Sequence, residues 1–254
     1  ATQLWWQYRE ALRANGNRAA ARRALGTAYR FMVKPIAALS DEGLRRNYLN
    51  KDETHRRIVA AWLAEAPGTR RHRHLAGKSS LREPFERLVD TGLRLNALRG
   101  SADLHEFLID EATELSGAER VLLVLETPAG TQLAGSLVPK GEDAATLLKD
   151  VAPALAEGAR TRFAGLALVP EGAPDLAQRS RIVAPLIARD TLMGCLYADL
   201  DGAFGRFHDA DRDLLAMLAS QAAVALDNAQ WSQGLEQKVA ERTGREEGRS
   251  FFLN

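Results

Sequence analysis

Residues 180–231 read SRIVAPLIARDTLMGCLYADLDGAFGRFHDADRDLLAMLASQAAVALDNAQW, and this stretch decides the fold. Two apolar runs, 182–188 and 192–200, flank the polar break Arg189-Asp190-Thr191, which predicts a hairpin of adjacent antiparallel strands. A turn rich in Asp and Gly follows, and a long helix opens at 208–211. Strand alternation places Met193, Cys195, Tyr197 and Asp199 on one face of the second run. Gly194, Leu196 and Ala198 fall on the other, where a glycine would let a helix pack closely.

Several spaced residues carry a resemblance. They are Ala184-Pro185-Leu186, Gly194-x-Leu196-Tyr197, Phe207 before an acidic helix start, Leu214-Leu215, Ala219-x-Gln221-Ala222-Ala223 and Asp227-Asn228-Ala229. Together they resemble the closing half of a GAF domain, the small sensory module of signalling proteins. The resemblance implies an α/β (α+β) fold, a mostly antiparallel sheet with helices on both sides, and a module that binds or senses and seldom catalyses.

Working towards the N-terminus, 163–169 reads as a strand. Residues 142–160 are helical in pattern, and Pro153 is expected to split them into two short helices. Residues 132–138 read as the hairpin partner of 121–125, a continuously apolar, central strand. A sheet of five or six strands is expected. A helix starts at 101–103 with Asp103 and Glu106 as a capping box, and its apolar face ends at Gly117. Residues 81–98 form an amphipathic helix with Leu81, Phe85, Leu88, Gly92 and Leu95 at heptad spacing.

Residues 67–80, PGTRRHRHLAGKSS, lack apolar periodicity and read as a basic linker. Residues 1–66 are helical throughout. Trp5, Tyr8 and Leu12 precede the break Asn15-Gly16-Asn17, and Ala21, Leu25, Ala28 and Met32 follow it. This pair resembles one tetratricopeptide-like hairpin. The segment 36–49 resembles the tail that ends helical repeat arrays in large bacterial signalling proteins. Ser40 and Asp52 read as helix caps. The division is therefore a helical segment 1–66, a linker 67–80, a GAF sensor 81–231 and a signalling helix with tail over 232–254.

The closing helix runs to about residue 243. Leu214, Leu218, Gln221, Ala225, Asn228, Ser232, Leu235, Val239 and Arg242 recur four and three residues apart, a seam whose small and polar members make pairing adjustable. The stretch 235–243 resembles the connector that joins sensory modules to histidine kinase or nucleotide cyclase domains. The family resemblance implies a homodimer paired through the helices from Leu81 to Leu98 and from Asp209 to Thr243, with an output domain downstream.

Composition bounds the rest. The chain has 254 residues, 46% apolar and 26% charged, as in an ordinary globular protein. No apolar run approaches the roughly 20 residues that span a bilayer, and no signal peptide is visible, so a cytoplasmic protein without a membrane partner is expected. Because it begins with Ala, the chain reads as a fragment of a longer protein. The net charge of +1 conceals an asymmetry: residues 1–80 carry 16 Lys/Arg against 6 Asp/Glu, and the remainder 18 against 27. The arginines of the basic part are spread around helices, which argues against nucleic acid and for a partner-facing or solvated surface.

Cys195 is the only cysteine, which excludes an internal disulfide and any multi-cysteine metal site. It reads as a small buried apolar residue in preference to a redox or metal-sensing thiol. GAF relatives that reduce free methionine sulfoxide use several cysteines, one just before the strand matching 182–186. Here 178–181 is Gln-Arg-Ser-Arg, so catalysis is not expected. Bilin attachment needs a cysteine in the helical region 142–160, which has none. The dispersed signature of cyclic-nucleotide-binding relatives is missing.

His72 and His74 read as solvated linker residues, His105 as surface and His208 as a modified helix cap. No phosphate loop, hydrolase triad or Asp-rich metal motif appears, and no motif specifies a cofactor. In GAF folds the ligand cavity lies between the sheet and the helical segment before the closing strands. By order of elements, the resemblance places Ser136, Arg160, Arg162, Arg181, Cys195 and Tyr197 around it, the arginines meeting an anionic small-molecule ligand and Ser136 and Tyr197 orienting it. The alternatives are a closed cavity, with the domain acting as a dimerisation scaffold, and a redox enzyme on the same fold.

Overall fold

The computed structural model describes residues 1–66, 74–75, 82–98 and 100–251, with the side chains of 82–85, 96, 101 and 232–251 left aside. The order is α1 (Thr2–Ala14), α2 (Arg18–Ile36), α3 (Glu42–Asn50), α4 (Glu53–Glu65), α5 (Arg82–Ala97), α6 (Ser101–Ser116), β1 (Arg120–Thr127) and β2 (Gly130–Leu137). Then come α7 (Ala144–Thr161), β3 (Gly165–Val169), β4 (Arg179–Ala188), β5 (Thr191–Asp201) and α8 (Asp209–Phe251). Leu81 and most of the expected linker, including His72, lie outside the described residues.

The five strands pair antiparallel throughout, in the order β2-β1-β5-β4-β3. One face of the sheet, with Leu123, Ile182, Ala184, Leu186, Leu196 and Ala198, shares a core with α2–α6 and α8. The other face, with Leu122, Val124, Val183, Cys195 and Tyr197, packs under α7. This is the expected sheet between helical layers.

Local chemistry explains the departures from the sequence reading. Asp41, and not Ser40, caps α3: its side chain accepts from the Leu44 N–H at 2.9 Å. Asp52 caps α4 as expected. Gly100 takes the N-cap of α6 without a side-chain bond, so the Asp103/Glu106 box does not form, and Gly117 ends the helix in the left-handed conformation. Pro153 does not split α7. Leu147, Val151, Leu155 and Gly158 are buried against one sheet on both sides of the proline, whose ring is exposed, and that common packing carries the helix through the missing hydrogen bond. His208 precedes α8, where its backbone N–H donates to Asp211 at 2.8 Å, the reciprocal half of a capping box.

The hairpin of β4 and β5 carries a bulge. Leu186 pairs with Gly194 and Ile187 with Leu192, which leaves Met193 unpaired and reverses its side. Met193 therefore joins the core under α8, not the Cys195 face. Gly194 has φ +154, and a Cβ there would stand 2.1 Å from the Val124 carbonyl oxygen. The neighbouring strand, not a helix, requires this glycine.

The helices of residues 1–66 are tied to the sheet domain by side chains that reach the C-terminal carbonyls of α6. Asn47 donates to Thr113, Arg46 to Ser116, Asn50 to Gly117 and Lys51 to Ala118, at 2.7–3.0 Å. The Thr113 carbonyl also accepts from the Gly117 N–H, whereas the carbonyls of 116–118 lie at or beyond the helix end, and cationic groups suit that negative end. Arg46, itself buried, also forms a two-pronged pair with Asp211 at the start of α8. His74 corrects the linker reading. It is fully buried, with its ring nitrogens 2.9 Å from the Tyr29 hydroxyl and 2.8 Å from the Ala203 carbonyl.

Candidate functional site

The space beneath α7 is filled by the protein's own side chains. Leu147, Val151 and Leu155 meet Leu122, Val124, Val183, Cys195 and Tyr197 in one cluster. A Cβ on Gly158 would stand 2.6 Å from a Val183 methyl, so the helix sits directly on the sheet. The Cys195 sulfur is buried 4.0 Å from the Leu155 carbonyl. Burial pushes its thiol up to about 11, and Glu126 adds to the shift. The thiolate that redox or metal chemistry needs is thus suppressed.

One end of this layer is charged. Asp199, fully buried, accepts from Arg120 Nε at 2.9 Å, Arg179 Nη1 at 2.8 Å and the Tyr197 hydroxyl at 2.6 Å. Burial, with the charge of Asp199 second, raises the Tyr197 hydroxyl far above its ordinary value, so it stays a donor. Glu119 accepts from Arg56 at 2.5 Å and Arg179 at 2.6 Å. Burial pushes the Glu119 carboxyl up, but the two guanidiniums together outweigh it and hold it below the usual range. Each carboxylate has several charged donors, a satisfied network that bolts α4 to the sheet.

Of the six residues expected to line a ligand site, three come together. Cys195 and Tyr197 are buried side by side on β5, and half-buried Arg181 lies opposite Asp199 in the register, close enough for its charge to act on Tyr197. The other three do not join them. Ser136 is exposed on edge strand β2, where it lines a groove with half-buried His105 of α6. Arg160 is exposed and pairs with Glu157 on its own helix. Arg162, in the left-handed conformation after α7, points its guanidinium to the Asp190 carbonyl.

That last bond belongs to a chain of contacts the sequence reading missed. The β4–β5 turn is built from Arg189 and Asp190, both at positive φ. Asp190 meets Arg162 behind α7. Arg189 pairs with Asp227 of α8 at 3.1 Å and stands 5.8 Å from the Trp231 ring centre. The turn thus touches both the helix over the sheet and the closing helix.

The first part of the heptad stripe expected to face a second chain is spent internally. Leu214, Leu218 and Ala225 are buried, as are Leu88 and Leu95 of α5, and Gly92 lies against the Gln221 amide. A different seam is exposed on the same two helices: Met217, Val224 and Trp231, each seven residues from the next, and Val89 and Leu93, the last 71% exposed. The spacing was present in the sequence. Only the packing tells which of two parallel stripes is internal. Leu235, Val239 and Arg242 fall among side chains outside the description.

Residues 106–226 match the family model of the GAF domain. Solved structures with similarity include the GAF domain/HD domain protein from Geobacter sulfurreducens, 19% identical, covering 54% of this chain and 99% of that one, with a TM-score of 0.42. The GAF domain from an Acinetobacter phosphoenolpyruvate-protein phosphotransferase is 13% identical over 59% and 95%, with a TM-score of 0.42. A free methionine-R-sulfoxide reductase from Neisseria meningitidis, in complex with its substrate, is 17% identical over 59% and 91%, with a TM-score of 0.45. None of the curated proteins matches this chain. Among the described residues no helix is long and apolar enough to cross a membrane, and no group of three or more His, Cys, Asp or Glu could hold a metal ion.

Proposed function

From the GAF domain of residues 106–226, we propose a non-catalytic regulatory module that forms a parallel homodimer through α5 and α8 and passes conformational bias along α8 to an output domain of the kinase or cyclase class. One observation carries this reading: the exposed apolar seam of Met217, Val224 and Trp231 lies on a helix that continues to Phe251, beyond the family match. Solvated apolar residues at heptad spacing gain by pairing with a second copy. The turn at Arg189–Asp190 supplies the input, because displacement of α7 would pull on Arg162 and, through the turn, on Asp227 and Trp231.

The filled interior beneath α7 favours a scaffold without a resident ligand. The suppressed thiolate of Cys195 argues against thiol-based catalysis. Size-exclusion chromatography with light scattering tests the dimer. A mass of twice the chain is expected, and a monomer at tens of micromolar refutes it.

A second reading, a small anionic ligand that opens the α7 layer, is favoured by Arg181. It is half-buried beside Tyr197, and among the described residues no carboxylate forms an ion pair with it. A thermal-shift screen of nucleotides and carboxylates tests it. A stabilising compound whose effect disappears in Arg181→Ala supports a ligand site, and no stabilisation leaves the scaffold reading alone.

A further inference from the structure

The charge of α2 is unlike that of the rest of the chain. This helix holds Arg18, Arg22, Arg23, Arg30 and Lys34 and neither Asp nor Glu. Elsewhere arginines are routinely matched to carboxylates, among them Arg9, Arg46, Arg56, Arg120, Arg179 and Arg206. Among the described residues none of the five cations of α2 forms an ion pair; Arg30 only donates to the Thr27 hydroxyl at 3.2 Å.

The arrangement is locally unfavourable. Arg18 stands at the first helical position, against the positive end of the helix dipole, and the first turn has no acidic residue. Arg18 with Arg22 and Arg30 with Lys34 are like charges four residues apart. Local rules broken without an internal compensation point to function.

Three of these cations edge a groove of about 770 Å³. The exposed Arg23, Arg30 and Lys34 edge it, Gly26, Thr27, Val33 and Ala37 lie between them, and Tyr29 stacked on Trp62 closes one side. The lining follows one face of α2 from residue 23 to 37, roughly 21 Å at the helical rise. An apolar floor between cations is complementary to a helix with an apolar stripe flanked by carboxylates. A nucleic acid backbone would meet the cations but leave Val33 and Ala37 without apolar partners.

We infer that this groove docks an acidic, amphipathic helix of a partner protein, with carboxylates on Arg23, Arg30 and Lys34 and apolar side chains on Val33 and Ala37. The test is fluorescence anisotropy on the full chain with three labelled probes: a peptide of about four turns with Leu and Glu at helical spacing, its Glu→Gln counterpart, and oligouridine. The Glu/Leu peptide is expected to bind. Both the Gln peptide and the triple variant Arg23→Glu/Arg30→Glu/Lys34→Glu are expected to weaken binding at least about tenfold, as lost charge-assisted contacts do.

Arg57→Glu on α4, outside the groove, should leave binding unchanged. Absence of peptide binding, indifference to the reversals, or tighter binding of oligouridine overturns the inference. A second measurement is independent of any probe. Arg23→Gln/Arg30→Gln/Lys34→Gln is expected to leave the melting temperature within about 2 °C, because the Arg30–Lys34 repulsion it removes is offset by the favourable place of Lys34 in the last turn. A larger fall would mean that they serve the fold, which also overturns the inference.

Discussion

At the scale of single residues, Cys195 and Glu119 show how the same burial acts on different chemistry. The thiol has no charged partner to offset desolvation, so it is held protonated. Cys195 should resist alkylation in the native protein at pH 8 and react at once in denaturant, as followed by mass shift. Fast native labelling would contradict the packed layer under α7. Glu119 is also buried, but Arg179 and Arg56 hold its pKa below the ordinary value. Its contribution is therefore fully present above the unfolded carboxylate pKa and lost as pH falls through the lower folded value. The urea midpoint should drop below about pH 4.3, and Arg179→Met should shrink that acid-side drop. A pH dependence identical in the variant would show that the network carries no linkage. Strand alternation was enough to read Cys195 and Tyr197 onto one face. It misplaced Met193 because a one-residue bulge reverses the parity and leaves no signature in composition. Arg160 and Arg162 were assigned by element order alone, and order does not say which way a side chain leaves a helix end.

At the scale of elements, α8 carries two apolar stripes with different fates. Leu218 is fully buried, so Leu218→Asp places a carboxylate in the core and should prevent native folding, seen as loss of a cooperative thermal transition. Met217→Glu changes an exposed position and should keep that transition. If both variants unfold alike, the assignment of the stripes is wrong. The turn at Arg189 is expected to steady the helix it touches. Arg189→Ala removes the Asp227 pair and the contact with Trp231, and hydrogen exchange over 224–231 should rise while β1 stays protected. Unchanged exchange there would remove the turn from the path between α7 and α8. The elements themselves were largely legible, because apolar spacing of two or of three and four residues identifies strand and helix. Pro153 misled because its effect on α7 depends on the sheet beneath, which no local window contains.

At the scale of the whole molecule, the basic N-terminal part and the acidic remainder are joined at the end of α6. The change in charge near residue 80 suggests a division by composition, while both sides share one core. It could not show that Asn47, Asn50, Arg46 and Lys51 complete the hydrogen bonding of a helix some 70 residues away. Nor did a linker without periodicity reveal that His74 is buried, since one ring held by two hydrogen bonds leaves no pattern. Two copies are proposed to meet along the seam of Met217, Val224 and Trp231 with Val89 and Leu93. Sedimentation equilibrium of the native chain beside Met217→Glu/Val224→Glu, at tens of micromolar, tests it most directly. A dimer is expected for the native chain and, for the variant, a monomer that keeps a cooperative thermal transition; a native monomer, or a dimer indifferent to both substitutions, would contradict it.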